Sequence, residues 1–69
     1  MDSPLVSVFL PAYNQEEFIS EAIQSCLQQD IEDMELVIGD DCSTDRTWTI
    51  IQSYVEQHPG KIMAFREAA

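Results

Sequence analysis

The hydrophobic period of this 69-residue chain switches back and forth between two and 3.6, and that alternation restricts its fold more than any other feature. Residues 5–10, LVSVFL, are a β-branched and apolar run closed by Pro11, which predicts a strand ending at or just before the proline. Val6, Val8 and Leu10 share one face of that strand while Leu5 and Phe9 share the other. Apolar side chains on both faces call for cover on both, as in a parallel sheet.

The spacing then becomes helical. Ile19, Ala22, Ile23, Cys26 and Leu27 recur at three and four, which predicts a helix from about Gln15 to Gln29. Asn14 is the predicted N-cap, Glu17 can reach back as in a capping box, and Glu16 and Glu17 suit the positive end of the helix dipole. After the polar connection at residues 30–33, MELVIGD reads as a second strand whose Leu36, Val37 and Ile38 bury on both sides, and Gly39 permits a close approach of backbone or ligand. Trp48, Ile51 and Val55, broadened by Ile50 and Tyr54, predict a second helix that stops at His58-Pro59-Gly60. KIMAF, residues 61–65, is the third strand.

The order β-α-β-α-β implies an α/β, Rossmann-like unit with three parallel strands and right-handed crossovers. If consecutive strands are neighbours, both helices lie on one face and the other is bare. That face also carries apolar side chains, so the sequence reads as part of a larger doubly wound domain, prone by itself to self-association.

Composition removes several function classes. Thirteen acidic residues against three basic ones give a net charge of −10, which excludes nucleic acid and anionic membrane as partners, because both need Lys and Arg against phosphate. No apolar run approaches the roughly 20 residues of a membrane span, and no signal peptide opens the chain, so a cytoplasmic location is expected. Cys26 and Cys42 lack C-x-x-C spacing and a His pair, so neither a disulfide framework nor a zinc site is expected, and Cys26 reads as a small core hydrophobe. Asp41, Ser43 and Asp45 have the alternate spacing of a calcium loop, but Arg46 stands where its glycine belongs and Gln52 where its bidentate Glu belongs.

Ligands of open parallel sheets bind at the carboxyl ends of the strands. Here those ends carry Pro11-Ala12-Tyr13-Asn14 and Asp40-Asp41. The Tyr13 ring can stack on a nucleobase and a carboxylate can accept a base N–H, so the pair suits a nucleotide. Asp45 is expected to cap the second helix or orient the loop, Trp48 to be core, and His58 to mark a helix C-terminus.

VSVFLPAYNQEEFISEAIQSCLQQ followed by MELVIGDDCSTDRTWTII resembles the opening of a family 2 glycosyltransferase, in which a strand ending in P-x-Y-N precedes one ending in D-D-x-S-x-D. The resemblance covers about residues 5 to 66. It implies that residues 1–69 are the N-terminal nucleotide-binding segment of a GT-A fold, in an enzyme that transfers a sugar from a nucleotide sugar, usually UDP-linked, to an acceptor glycan or lipid with inversion. By position, Pro11 and Tyr13 would border the base, Asp41 would meet the uracil N–H, and Asp40 would support the loop or the ribose side. Magnesium or manganese is implied for the intact enzyme. The acidic D-x-D motif and the later general base of the family are not among these residues, so no catalytic or metal residue is assigned and the chain alone is expected to be inactive and to hold no cofactor. The intact enzyme could then work at the inner face of the membrane. The rival class is a receiver-like signalling domain, which needs an acidic pair after the first strand and an Asp after the third; a non-binding structural fragment is the other alternative.

Overall fold

The computed structural model describes residues 6–29 and 34–67. Leu5 and the connection at 30–33 therefore lie outside the described residues. Strand β1 (Val6–Ala12), helix α1 (Ile19–Leu27), strand β2 (Met34–Asp40), helix α2 (Thr47–Gln57) and strand β3 (Ile62–Arg66) follow one another. The strands are all parallel, in the order β1-β2-β3.

Side-chain alternation assigns the two faces. Leu36 and Ile38 of the central strand are fully buried against Ile19 and Ile23 of α1, Ile51 of α2 and Ile62 of β3, in a single core cluster. Both helices thus cover the same face, as sequential pairing of the strands requires. Full burial of each such side chain is worth roughly 1.5–3 kcal/mol, which makes this one-sided core the main source of stability. The hydroxyls of Ser20 and Tyr54 share a hydrogen bond, and Gln24 Nε2 donates to Tyr54 Oη at 2.8 Å, so the helices are also joined to each other.

Among the described residues nothing covers the opposite face. Phe9 remains 57% exposed, Met63 48% and Phe65 46%, and Val37 is only half-buried, so the two-sided burial expected of β2 is realised on one side.

Three boundaries differ from expectation, each for a physical reason. Strand β1 runs through Pro11 to Ala12. The Ala12 carbonyl accepts the Asp41 N–H at 2.8 Å, so Ala12 points its backbone at β2 and Pro11 points its own at the sheet edge, where a missing donor costs nothing. Helix α1 begins at Ile19 instead of Gln15: the Gln15 carbonyl accepts both Phe18 N–H (2.8 Å) and Ile19 N–H (2.7 Å), which makes residues 16–18 a lead-in turn. Asn14 does not cap that helix. At φ +47° it turns its side chain across to the loop after β2. Strand β3 is shifted by one residue to Ile62–Arg66, because the His58 carbonyl accepts the N–H groups of Lys61 and Ile62 (both 3.1 Å) and Gly60, at φ +84°, closes the turn. Helix α2 ends at the His-Pro-Gly stretch as the sequence predicts.

Candidate functional site

In the sheet register Ala12, Asp40 and Arg66 stand side by side at the carboxyl ends of the strands. The ladder continues one step further, with Asp41 N–H on the Ala12 carbonyl and Glu67 N–H on the Asp40 carbonyl at 2.9 Å. Tyr13 and Asp41 are therefore the first residues beyond two neighbouring strands. Both are exposed, Tyr13 by 56%.

An open depression of about 220 Å³ lies at this end on the uncovered face, lined by Phe9, Pro11, Gly39, Asp40, Asp41, Phe65 and Glu67. Its floor is aromatic. The Phe9 and Phe65 rings stack at 6.2 Å between centroids and 25° between planes, and both lean over Gly39, where any Cβ would come within 2.8 Å of Phe65 Cζ. The space that Gly39 provides is thus taken by two rings of the protein itself. Of the four candidate residues, Pro11, Asp40 and Asp41 line this depression, while Tyr13 stands beside it on the following loop.

The two adjacent aspartates have opposite surroundings. Asp41 faces solvent. Asp40 is completely buried on the helix side, where Ser43 donates to it from both its hydroxyl and its N–H (3.2 Å) and Arg66 Nε pairs with it at 3.3 Å. A carboxyl group taken fully out of water needs such partners to offset its lost hydration. Among the described residues the Asp40 side chain contacts the protein itself, through Ser43 and Arg66.

The loops after β1 and β2 are stitched together across this end. Asn14 N–H donates to Ser43 Oγ (2.9 Å), Gln15 N–H to Thr47 Oγ1 (2.7 Å) and Glu16 N–H to Asp45 Oδ2 (3.2 Å). In return Asn14 Oδ1 accepts the Thr44 N–H at 2.8 Å. The open donors ahead of α1 are thus met by side chains from the other loop. Asp45 also accepts the Thr47 N–H at 2.9 Å and the Thr47 hydroxyl, so it braces the start of α2 and the entry to α1 together. Desolvation pushes the Asp45 carboxyl up, but the bonds from the Thr47 hydroxyl and the Thr47 and Glu16 N–H groups outweigh it and hold its pKa below the ordinary aspartate value.

Sequence reasoning passed over Arg66, Ser43 and the cross-loop role of Asn14. The available signal was Arg66 itself, one of three cations in a chain of charge −10, placed where a third strand ends beside the aspartates. Among the described residues no group of three or more His, Cys, Asp or Glu could hold a metal ion, and the oxygens of Asp40 and Asp45 are engaged by protein donors. The implied magnesium or manganese does not fit this residue set. No helix among them is long and apolar enough to cross a membrane.

Residues 7–68 match Glycosyl transferase family 2. The chain is 46% identical over 56 residues to a chondroitin synthase of Escherichia coli, covering 81% of this chain and 8% of that protein. It is 47% identical over 51 residues to a putative teichuronic acid biosynthesis glycosyltransferase, TuaG, of Bacillus subtilis, covering 74% of this chain and 20% of that one. Among solved structures, the mannosyltransferase PcManGT from Pyrobaculum calidifontis, in complex with GDP-Man and Mn2+, superposes with a TM-score of 0.83 at 30% identity over 96% of this chain and 20% of its own. S. aureus TarS 1–349 superposes with a TM-score of 0.78 at 33% identity, over 93% of this chain and 19% of its own. The three parallel strands and two helices match these GT-A glycosyltransferases, and the chain spans between 8% and 20% of the lengths of these relatives.

Proposed function

Because the chain belongs to glycosyl transferase family 2, we propose that residues 1–69 are the N-terminal nucleotide-binding segment of an enzyme that transfers a sugar from a nucleotide sugar to an acceptor glycan or lipid. The observation that carries this reading is the placement of Tyr13 and Asp41, exposed and adjacent beyond two paired strands, in a chain that matches the family over residues 7–68. Tyr13 offers a stacking face with Pro11 beside it, Asp41 an exposed carboxylate, and Asp40 holds the turn that presents Asp41. A carboxylate accepts the single ring N–H of uracil or the adjacent N–H donors of guanine, so UDP and GDP donors both suit Asp41. UDP is the donor that the family resemblance implies, while the mannosyltransferase neighbour was solved with GDP-Man.

The segment's part in the reaction is to hold the base. Inversion at the anomeric carbon, neutralisation of the leaving diphosphate by a divalent metal and deprotonation of the acceptor hydroxyl belong to the intact enzyme. With them absent from these residues, the isolated chain has no catalytic activity. The uncovered face, with Phe9, Met63 and Phe65 exposed, supports self-association of the chain by itself. Free thiols at Cys26 and Cys42 are compatible with work in the cytoplasm, with the intact enzyme at the inner membrane face.

An NMR titration of this chain with UDP, GDP, ADP and uridine, beside an Asp41→Asn variant, tests the reading. UDP or GDP should shift the amides around Tyr13 and Asp41, uridine should shift the same amides as UDP, and the variant should lose about tenfold in affinity, the usual worth of one charge-assisted hydrogen bond. An unshifted spectrum with every nucleotide, in a sample whose amides show the folded sheet, counts against it.

A further inference from the structure

Arg66 is the last residue of β3, and its guanidinium engages a single turn of the chain twice, once by an ion pair and once by a hydrogen bond. Nε lies 3.3 Å from Asp40 Oδ2, and Nη2 donates to the Ser43 carbonyl at 2.7 Å. Those acceptors belong to the first and last residues of the turn whose two middle residues are Asp41 and Cys42. Inside it Ser43 N–H returns to Asp40 Oδ2, and Cys42 stands at φ +56°, a left-handed conformation that a residue with a Cβ keeps only when its surroundings enforce it. From Ser43 the grip passes to the loop after β1, through Asn14 N–H on Ser43 Oγ, and so to Tyr13. The Trp48 ring lies 6.0 Å from the guanidinium carbon and backs it.

We infer that Arg66 is a positioning residue for base recognition: it clamps both ends of the Asp40–Ser43 turn and so presents Asp41 beside Tyr13. What Asp41 does there rests on the nucleotide reading above; what Arg66 does rests on geometry alone. The two-point grip needs the planar fork of arginine. A lysine keeps the charge but engages as a single point, so it pairs with Asp40 without also fixing the Ser43 carbonyl.

The test compares the 69-residue chain with Arg66→Met, Arg66→Lys and Lys61→Met, the last removing one charge ahead of the other end of β3. In the free protein, the HN–Hα coupling of Cys42 reports its φ, hydrogen exchange of the Ser43 amide reports the turn, and exchange at Leu36 and Ile38 reports the sheet. Both Arg66 variants should change the Cys42 coupling and speed Ser43 exchange about tenfold, as expected for local opening, while Leu36 and Ile38 keep their protection and Lys61→Met changes neither. UDP or GDP affinity should fall by about tenfold in both, with lysine little better than methionine. Should Arg66→Met expose the sheet, Arg66→Lys, which keeps buried Asp40 paired, decides the matter. An unchanged Cys42 coupling, or undiminished nucleotide affinity, overturns the inference. If wild type binds no nucleotide while the turn still opens in the variants, the nucleotide reading fails and the hold of Arg66 on the turn is upheld.

Discussion

Gly39 and Gly60 are the only two glycines of the chain, and each answers a different constraint. Gly60 has nothing within 4 Å of a prospective Cβ but stands at φ +84°, so alanine there fits the space and not the backbone. Gly60→Ala should destabilise by about 1 kcal/mol, the left-handed penalty less the gain from a stiffer unfolded chain, read as a lower urea midpoint. Gly39 is the reverse case, limited by Phe9 and Phe65 ring ends that can swing out over the open face. Gly39→Ala should open that stack, seen as a change in the ring-current shifts of both phenylalanines, with the midpoint moved by only about 0.5 kcal/mol because lost stacking and gained backbone restriction nearly cancel. Asp45 supplies a pH-dependent prediction. Its folded pKa is lowered, so the carboxylate stabilises the fold above the ordinary aspartate value of about 3.9, and the contribution is lost as pH falls through the lower, folded pKa. Wild type should therefore be more stable than Asp45→Asn at neutral pH, and paired urea titrations should show the gap closing only below about 4.

At the scale of elements, the legible parts are those whose own residues decide them. Strand β2 spans the MELVIGD stretch that the sequence predicts, because a central strand is specified by its own apolar run between polar connections. The start of α1 was not legible in the same way. Asn14, Gln15 and Glu16 give their N–H groups to Ser43, Thr47 and Asp45, about thirty residues away, and no local pattern announces such partners. The candidate site divides along the same line: Asp41 was readable as an exposed acid after a strand, whereas the burial of Asp40 depends on Arg66 arriving from the far end of the chain. The two faces of β2 allow a direct test of which residues carry the core. Ile51→Ala removes a fully buried side chain beneath the sheet and should cost about 2–5 kcal/mol. That rivals the roughly 3–10 kcal/mol total expected of a domain this size, so no cooperative thermal transition should survive. Val37→Ala, on the open face, should cost about 1 kcal/mol or less and leave the transition intact, as calorimetry of both variants would check.

For the molecule as a whole, one sheet face is covered by two helices and the other exposes Phe9, Met63 and Phe65, while the chain carries a net charge of −10. These terms oppose each other. Apolar burial between two copies favours association independently of salt, whereas like charges on both copies resist it over a screening length of about 10 Å at 0.1 M salt. Association of the isolated chain should therefore strengthen as salt is added, the opposite of an assembly held by ion pairs. The Phe9→Ser, Phe65→Ser double variant should lose it, because those rings form the apolar centre of the face and rest on Gly39 rather than on the core. Its stability should fall by about 1–2 kcal/mol, since the stack is lost while the core beneath the other face stays intact. Sedimentation velocity over a range of concentrations, at low and high salt, separates the cases: a wild-type chain that stays monomeric throughout would mean that the open face is not adhesive, and a double variant that still assembles would move the contact to the strand edges.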